Sequence, residues 1–261
     1  MSQWSNKRRK RLLFIIIAVA IAIVSLLAYL VTNKTPTCFD RVQNGSETGV
    51  DCGGACQLVC REDVRDIVVW WERPFKVVNG VYNTVAYFEN QNLESGIEEI
   101  KYEFRLYSYD NILVSEPIVG TTFVEPNKRS AVFEAGISTG DQEAYTAFFK
   151  VSSVQKWEKT DQSFAYNLFQ ISEPQLTNQD IAPKIQVSLK NVSFKGYTDI
   201  PVIAVIYNQE DNAIASSQTY IDDIGQDQEA IAYFSWPQPF GETVSRIEII
   251  PRVNPFKNAL E

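Results

Sequence analysis

The chain has 261 residues, 24 Lys and Arg against 32 Asp and Glu, a formal charge of −8 and no histidine. The missing histidine excludes Ser-His-Asp and Cys-His catalysis, His-ligated metal sites and an imidazole pH switch. The acidic balance disfavours nucleic acid, whose phosphates need a cationic face, and 12% aromatic residues fit a packed β-rich body better than disorder.

Residues 1–11 carry Lys7, Arg8, Arg9, Lys10 and Arg11 and no acid, so the acidic excess of the remainder is larger still. Leu12 to Val31 follows, LLFIIIAVAIAIVSLLAYLV, 20 residues without a charge. A helix rising about 1.5 Å per residue covers about 30 Å over that run, the thickness of a bilayer's hydrocarbon core. Basic residues ahead of a span hold their end in the cytoplasm, and Tyr29 suits the far interface. A cleaved signal peptide is the rival, but its apolar core is about 7 to 15 residues long, and Ala28-Tyr29-Leu30 is a poor cleavage site. The expectation is a single-pass cell-membrane protein with its bulk outside the cytoplasm.

Cys38, Cys52, Cys56 and Cys60 fall within 23 residues just after the span, and no cysteine follows. In an oxidising compartment they would staple a segment too short to hold itself by a core. Zinc is the alternative, but the gaps of 13, 3 and 3 residues match zinc-ribbon spacing poorly. Four cysteines permit three pairings; our expectation, which no geometric argument selects, is Cys38–Cys56 with Cys52–Cys60. Asn44-Gly45 and Gly53-Gly54 are turn formers. Asp40, Asn44, Glu47 and Asp51 offer oxygen ligands for Ca²⁺ outside the EF-hand spacing. They serve equally as turn caps facing water, so no cofactor is required and Ca²⁺ is the one to test.

This stretch, CFDRVQNGSETGVDCGGACQLVC, resembles a short cysteine-rich module of secreted and surface-anchored bacterial proteins, roughly C-x-D-x-x-x-N-G-x-E-x-x-x-D-C-G-G-x-C-x-x-x-C. The resemblance implies a location rather than an activity.

From Glu62 onward the text is a series of short β-type runs. They are Asp66 to Glu72, Val81 to Glu89, Ile100 to Tyr107, Ile112 to Ser115, Ser130 to Glu134 and Ala144 to Val151. Ile100, Tyr102, Phe104 and Leu106 alternate with Lys101, Glu103 and Arg105, the period of a half-buried strand. Asp110-Asn111 then predicts a hairpin turn to Ile112–Ser115. The pattern repeats at an offset of 100 or 101. Pro74 matches Pro174, Asn90 matches Asn191, Ile100 matches Ile200 and Tyr107 matches Tyr207. Asp110-Asn111 matches Asp211-Asn212, while Ala131 and Phe133 match Ala232 and Phe234. Turn signals roughly every ten residues suit an immunoglobulin-like sandwich. Phe104, Leu106 and Tyr107 resemble the FxLYD family of bacterial extracytoplasmic domains, with Ser108 where that pattern has Asp and Ala204 at the Phe position of the second copy.

The fold expected is therefore mostly β. A basic cytoplasmic tail (1–11) and a transmembrane helix (12–31) lead into a cysteine-rich module (32–61). Two tandem immunoglobulin-like β-sandwich domains (62–158 and 159–261) complete the chain. Paired acids such as Glu98-Glu99 and Asp222-Asp223 are candidates for glycosidase-type chemistry, but adjacent strand residues point to opposite faces and serve more often as solvent charges. Trp70 and Trp71, neighbours on one strand, should face opposite ways, leaving one as a candidate for binding envelope glycans. Trp157 and Trp236 read as core. The expected function is non-catalytic: a membrane-anchored protein interacting with an envelope protein or glycan. The alternative is an accessory subunit of a membrane assembly, held partly by the small residues Ala18, Ala20, Ala22 and Ser25 of the span. Sequons stand at Asn33, Asn44 and Asn191.

Overall fold

A computed structural model describes residues 3–32, 36–152, 155–257 and 259–260. The first two residues of the basic tail and the sequon Asn33-Lys34-Thr35 lie outside the described residues. The chain divides into two compact units, residues 1–56 and 57–261.

The first unit holds helix α1, Gln3–Thr32. Its first turn contains no acid to favour the helix dipole at that end. Over Arg8–Tyr29 the helix is apolar and long enough to cross a membrane, and none of that window is buried. The following segment has few apolar side chains and is closed by sulfur and by turns. Cys38 and Cys56 are bonded, Cys52 and Cys60 are also in disulfide linkage, and no cysteine is free. Gly54, at φ +54°, is required: a Cβ there would sit 1.7 Å from the Ser46 carbonyl oxygen.

The second unit is built from β-strands. The described residues add only two short 3₁₀ turns, Arg61–Asp63 and Gln162–Ala165. Strands β1 (Val68–Val78), β2 (Val81–Asn90) and β5 (Lys128–Ser138) form the first sheet, in the order β1-β2-β5. Strands β3 (Ser95–Tyr107), β4 (Ile118–Val124) and β6 (Thr146–Val151) form the second, in the order β4-β3-β6, with β7 (Glu158–Lys159) added to β3. The third sheet is β12 (Ala213–Ile224), β11 (Gly196–Tyr207) and β14 (Arg246–Pro251), with β15 (Ala259–Leu260) also paired to β11. The fourth is β13 (Glu229–Ser235), β10 (Lys184–Asn191) and β8 (Phe169–Ile171), with β9 (Gln175–Thr177) paired to β10. All pairings named here are antiparallel.

The sheets stack four deep. Ala86, Phe88 and Val132 of the first sheet pack against Ile100, Tyr102, Phe104 and Phe149 of the second. From the other face of the first sheet, Phe75, Val85, Tyr87 and Ala131 pack against Ile203, Val205, Tyr207 and Ile250 of the third. The third sheet's remaining face, through Val202, Ala204 and Ile206, meets Ile185, Val187, Leu189 and Phe234 of the fourth. The two inner sheets are thus covered on both faces. This is why β2 is buried without interruption from Thr84 to Phe88 and β11 from Val202 to Tyr207. Such strands lose the apolar–polar alternation of a sheet with one wet face.

Three details depart from the sequence reading. Ile112–Ser115 does not return as a strand: it makes a single bridge, Tyr107 to Leu113, and β4 begins only after Pro117, which cannot donate to a ladder. At the turn, Asn111 and Asp211 share φ 58°. Ser108 N donates to Ile112 O, and Asn208 N to Asn212 O. Asn111 therefore corresponds to Asp211, one place from the match made by sequence. Ala131 faces the third sheet whereas Ala232 lies in the core between the third and fourth, so these two alanines are not equivalent.

Candidate functional site

The oxygen-bearing residues of the cysteine-rich segment are committed to its turns. Asp51 accepts from Arg41 N through both oxygens, at 3.0 and 3.1 Å. Asp40 accepts from Val42 N at 2.9 Å and from Asn44 Nδ2 at 2.8 Å. Glu47 Oε2 accepts from Asn44 N at 3.1 Å. Of these side chains, Asn44 leaves Oδ1 enclosed without a partner. Among the described residues, the one set of three candidate metal-ligating side chains that converges is Cys38, Glu47 and Cys56. Its two sulfurs are bonded to each other, so they are not thiolates.

Trp70 and Trp71 separate as strand geometry requires, at a register irregularity between Val69 and Trp71. Trp71 turns inward, stacked on Tyr87 at 5.3 Å and edge-on to Tyr207 at 6.5 Å. Half-buried, it packs into the contact between the first and third sheets. Trp70 is 53% exposed. Its Nε1 donates to Glu89 Oε2 at 3.1 Å, and the Arg129 guanidinium lies over its ring, 4.9 Å from the centroid. Arg129 is also 3.5 Å from Glu89. Arg129 borders a cleft of about 540 Å³ with Asn127, Lys128, Asn167, Gln170 and Glu248, a volume in the range of small-ligand sites. Sequence reading found the tryptophan pair but missed Arg129 and Glu89, which no local motif marks.

The paired acids lie on separate strands, Glu98-Glu99 in β3 beside a recess of about 430 Å³ and Asp222-Asp223 in β12. Asp222 and Asp223 are both exposed. Glu98 is 3.3 Å from Lys257, and Glu99 is exposed. The sequon Asn191 is 0% exposed, and its Nδ2 donates to the carbonyls of Lys195, Ile224 and Gly225. It is a buried corner rather than a surface acceptor. Asn90 plays a similar part, donating to Ser95 O and Glu125 O. Asp161 accepts from Ser163 N at 2.9 Å, and that backbone bond lowers its carboxyl pKa.

Polar groups also join the sheets. Tyr87 donates to Glu248 Oε1 at 2.6 Å and Tyr207 to Oε2 at 3.0 Å. Arg252, 5% exposed, donates to Thr122 Oγ1 and Phe123 O and faces Glu125 at 3.8 Å. Glu125 in turn accepts from Val253 N at 3.1 Å. Burial draws the Arg252 guanidinium below its ordinary pKa, against the pull of Glu125. These groups tie residues some 130 positions apart and form a structural lock.

No protein-family model matches the chain, and no curated protein matches it in sequence. Among solved structures, similar stretches occur in a red sea bream transglutaminase, at 7% identity and TM-score 0.24, over 72% of this chain and 29% of that one. Another occurs in the C-terminal globular domain of an oligosaccharyltransferase from Pyrococcus abyssi, at 13% identity and TM-score 0.22, over 72% and 46%. The chain thus spans less than half the length of either structure.

Proposed function

We propose that the chain is a non-catalytic, single-pass membrane protein. It presents its β-rich unit outside the cytoplasm for interaction with an envelope protein or glycan. The observation that carries this reading is helix α1: its candidate span, Arg8–Tyr29, is long and apolar enough to cross a membrane with none of its apolar window buried, and the uncharged run within the chain is the 20 residues Leu12 to Val31. At about 1.5 Å per residue that run covers about 30 Å, the thickness of a bilayer's hydrocarbon core, and lipid is the medium that suits such a surface. The basic residues ahead of it support a cytoplasmic N-terminus, and the oxidised cysteines beyond it agree with an oxidising compartment. On this reading residues 32–61 are a stapled stalk. Each outer sheet with its inner neighbour is then an immunoglobulin-like sandwich, covering 62–158 and 159–261.

Within that body, Trp70 with Arg129 and Glu89 is the surface best suited to a glycan, offering an aromatic face with charged donors and acceptors beside it. Membrane fractionation and protease protection test the reading. The full chain should resist alkaline extraction, and in right-side-out membranes everything after the helix should be digestible. Recovery from the cytosol with alkylatable thiols would overturn it.

A further inference from the structure

Resting on the membrane-anchored reading, we propose that the loop Val192–Lys195 with Tyr166 is a second lipid contact, dipping into the surface of the bilayer that holds α1. Phe194 is 89% exposed, Tyr166 70% and Val192 47%, and the three border one recess of about 390 Å³. They form one apolar patch rather than scattered surface residues.

The loop is held firmly from within: Ser193 N and Oγ donate to Asn191 Oδ1, and Asn191 Nδ2 donates to Lys195 O. Val192 N donates to Leu168 O, and Lys195 Nζ lies 3.8 Å from Asp161 Oδ2. An aromatic and aliphatic set on a firm loop is what an interfacial anchor needs.

Position favours lipid over other occupants. Gln57, the first residue of the second unit, donates through Nε2 to Lys159 O at 2.7 Å and accepts from Lys159 N at 2.9 Å. Two residues later Asp161 meets Lys195, the neighbour of Phe194. The patch thus lies at the end of the unit where the chain comes in from the helix. The chain between is short: the Cys38–Cys56 bond, Cα–Cα 5.6 Å, bypasses the intervening loop. The opposite end is remote, because β3 has 13 residues and runs about 40 Å from Ser95, paired with Lys159, to the turn bearing Tyr109.

Photo-crosslinking of the full chain in phosphatidylethanolamine–phosphatidylglycerol vesicles tests this. Phe194, Ile21 and Tyr109 are each replaced by p-benzoylphenylalanine, and disulfide content is checked first to show that each variant is folded. Lipid adducts, read as a mass gain of one phospholipid, are expected at 194 and 21 and not at 109. Adducts at 21 with none at 194, or with 194 joined to a second copy of the chain, overturn the lipid contact and leave the anchor standing. Equal adducts at 194 and 109 overturn it too. No adduct at 21 removes the anchored reading itself.

Discussion

Glu125 and Arg252 show how much depends on single side chains buried in the second unit. Both are almost fully enclosed, and together they hold the tail of β14 against the end of β4. Removing the carboxylate strands a buried guanidinium. Glu125→Ala should therefore cost about 3–5 kcal/mol, read as a lower urea midpoint with an unchanged slope. Replacing both residues with Met should recover most of that loss, and failure to recover would show that the pair is not the source of the cost. Neither residue was legible in the sequence, since a charge in EIIPRVNP reads as solvent-facing until a second sheet covers it. Asn90 and Asn191 were legible as a matched pair, because both end a strand and both close the following corner through the same amide nitrogen. Ala131 and Ala232 were mismatched because spacing alone does not say which face a residue occupies when both faces are apolar.

Among the strands, legibility followed exposure. β3 alternates because its outer face is wet, and its phase was read correctly at Tyr102, Phe104 and Leu106. β2 and β11 do not alternate, and nothing local tells a strand covered on both faces from any other short apolar run. The contact between β2 and β14 gives a pH dependence. Tyr87 and Tyr207 share the Glu248 carboxylate, and burial first, then the Glu248 carboxylate, raises both phenols above their ordinary range. Unfolded tyrosines lose their protons near pH 10, while these keep theirs. The unfolded state then binds fewer protons, so the stability present in full below about pH 10 falls as pH rises beyond it. Urea midpoints at about pH 9 and about pH 11 should show this fall, with a shallower fall in Tyr87→Phe. An equal fall in that variant would assign the effect elsewhere.

The four sheets of the second unit should unfold as one body, because the middle contact has an apolar core of its own. Val85, Tyr87, Ala131, Ile203 and Val205 are all buried in it, and each large apolar side chain there is worth about 1.5–3 kcal/mol. Calorimetry on the full chain should show a single cooperative transition for this unit. The segment 57–158 expressed without the rest should expose that face and aggregate. Two well-separated transitions, or a soluble 57–158 of undiminished stability, would show that the halves are independent. The amino-acid order alone determined the uncharged span, the sulfur-stapled segment and a β-rich remainder. Each of these follows from composition and short-range period, which neighbouring residues set among themselves. Only the tertiary structure decided that the inner sheets face each other, that Trp71 is covered while Trp70 is not, and that Asn191 is closed to modification. Those outcomes depend on surfaces meeting across a hundred or more residues, and nothing within reach of a local pattern records which faces will meet.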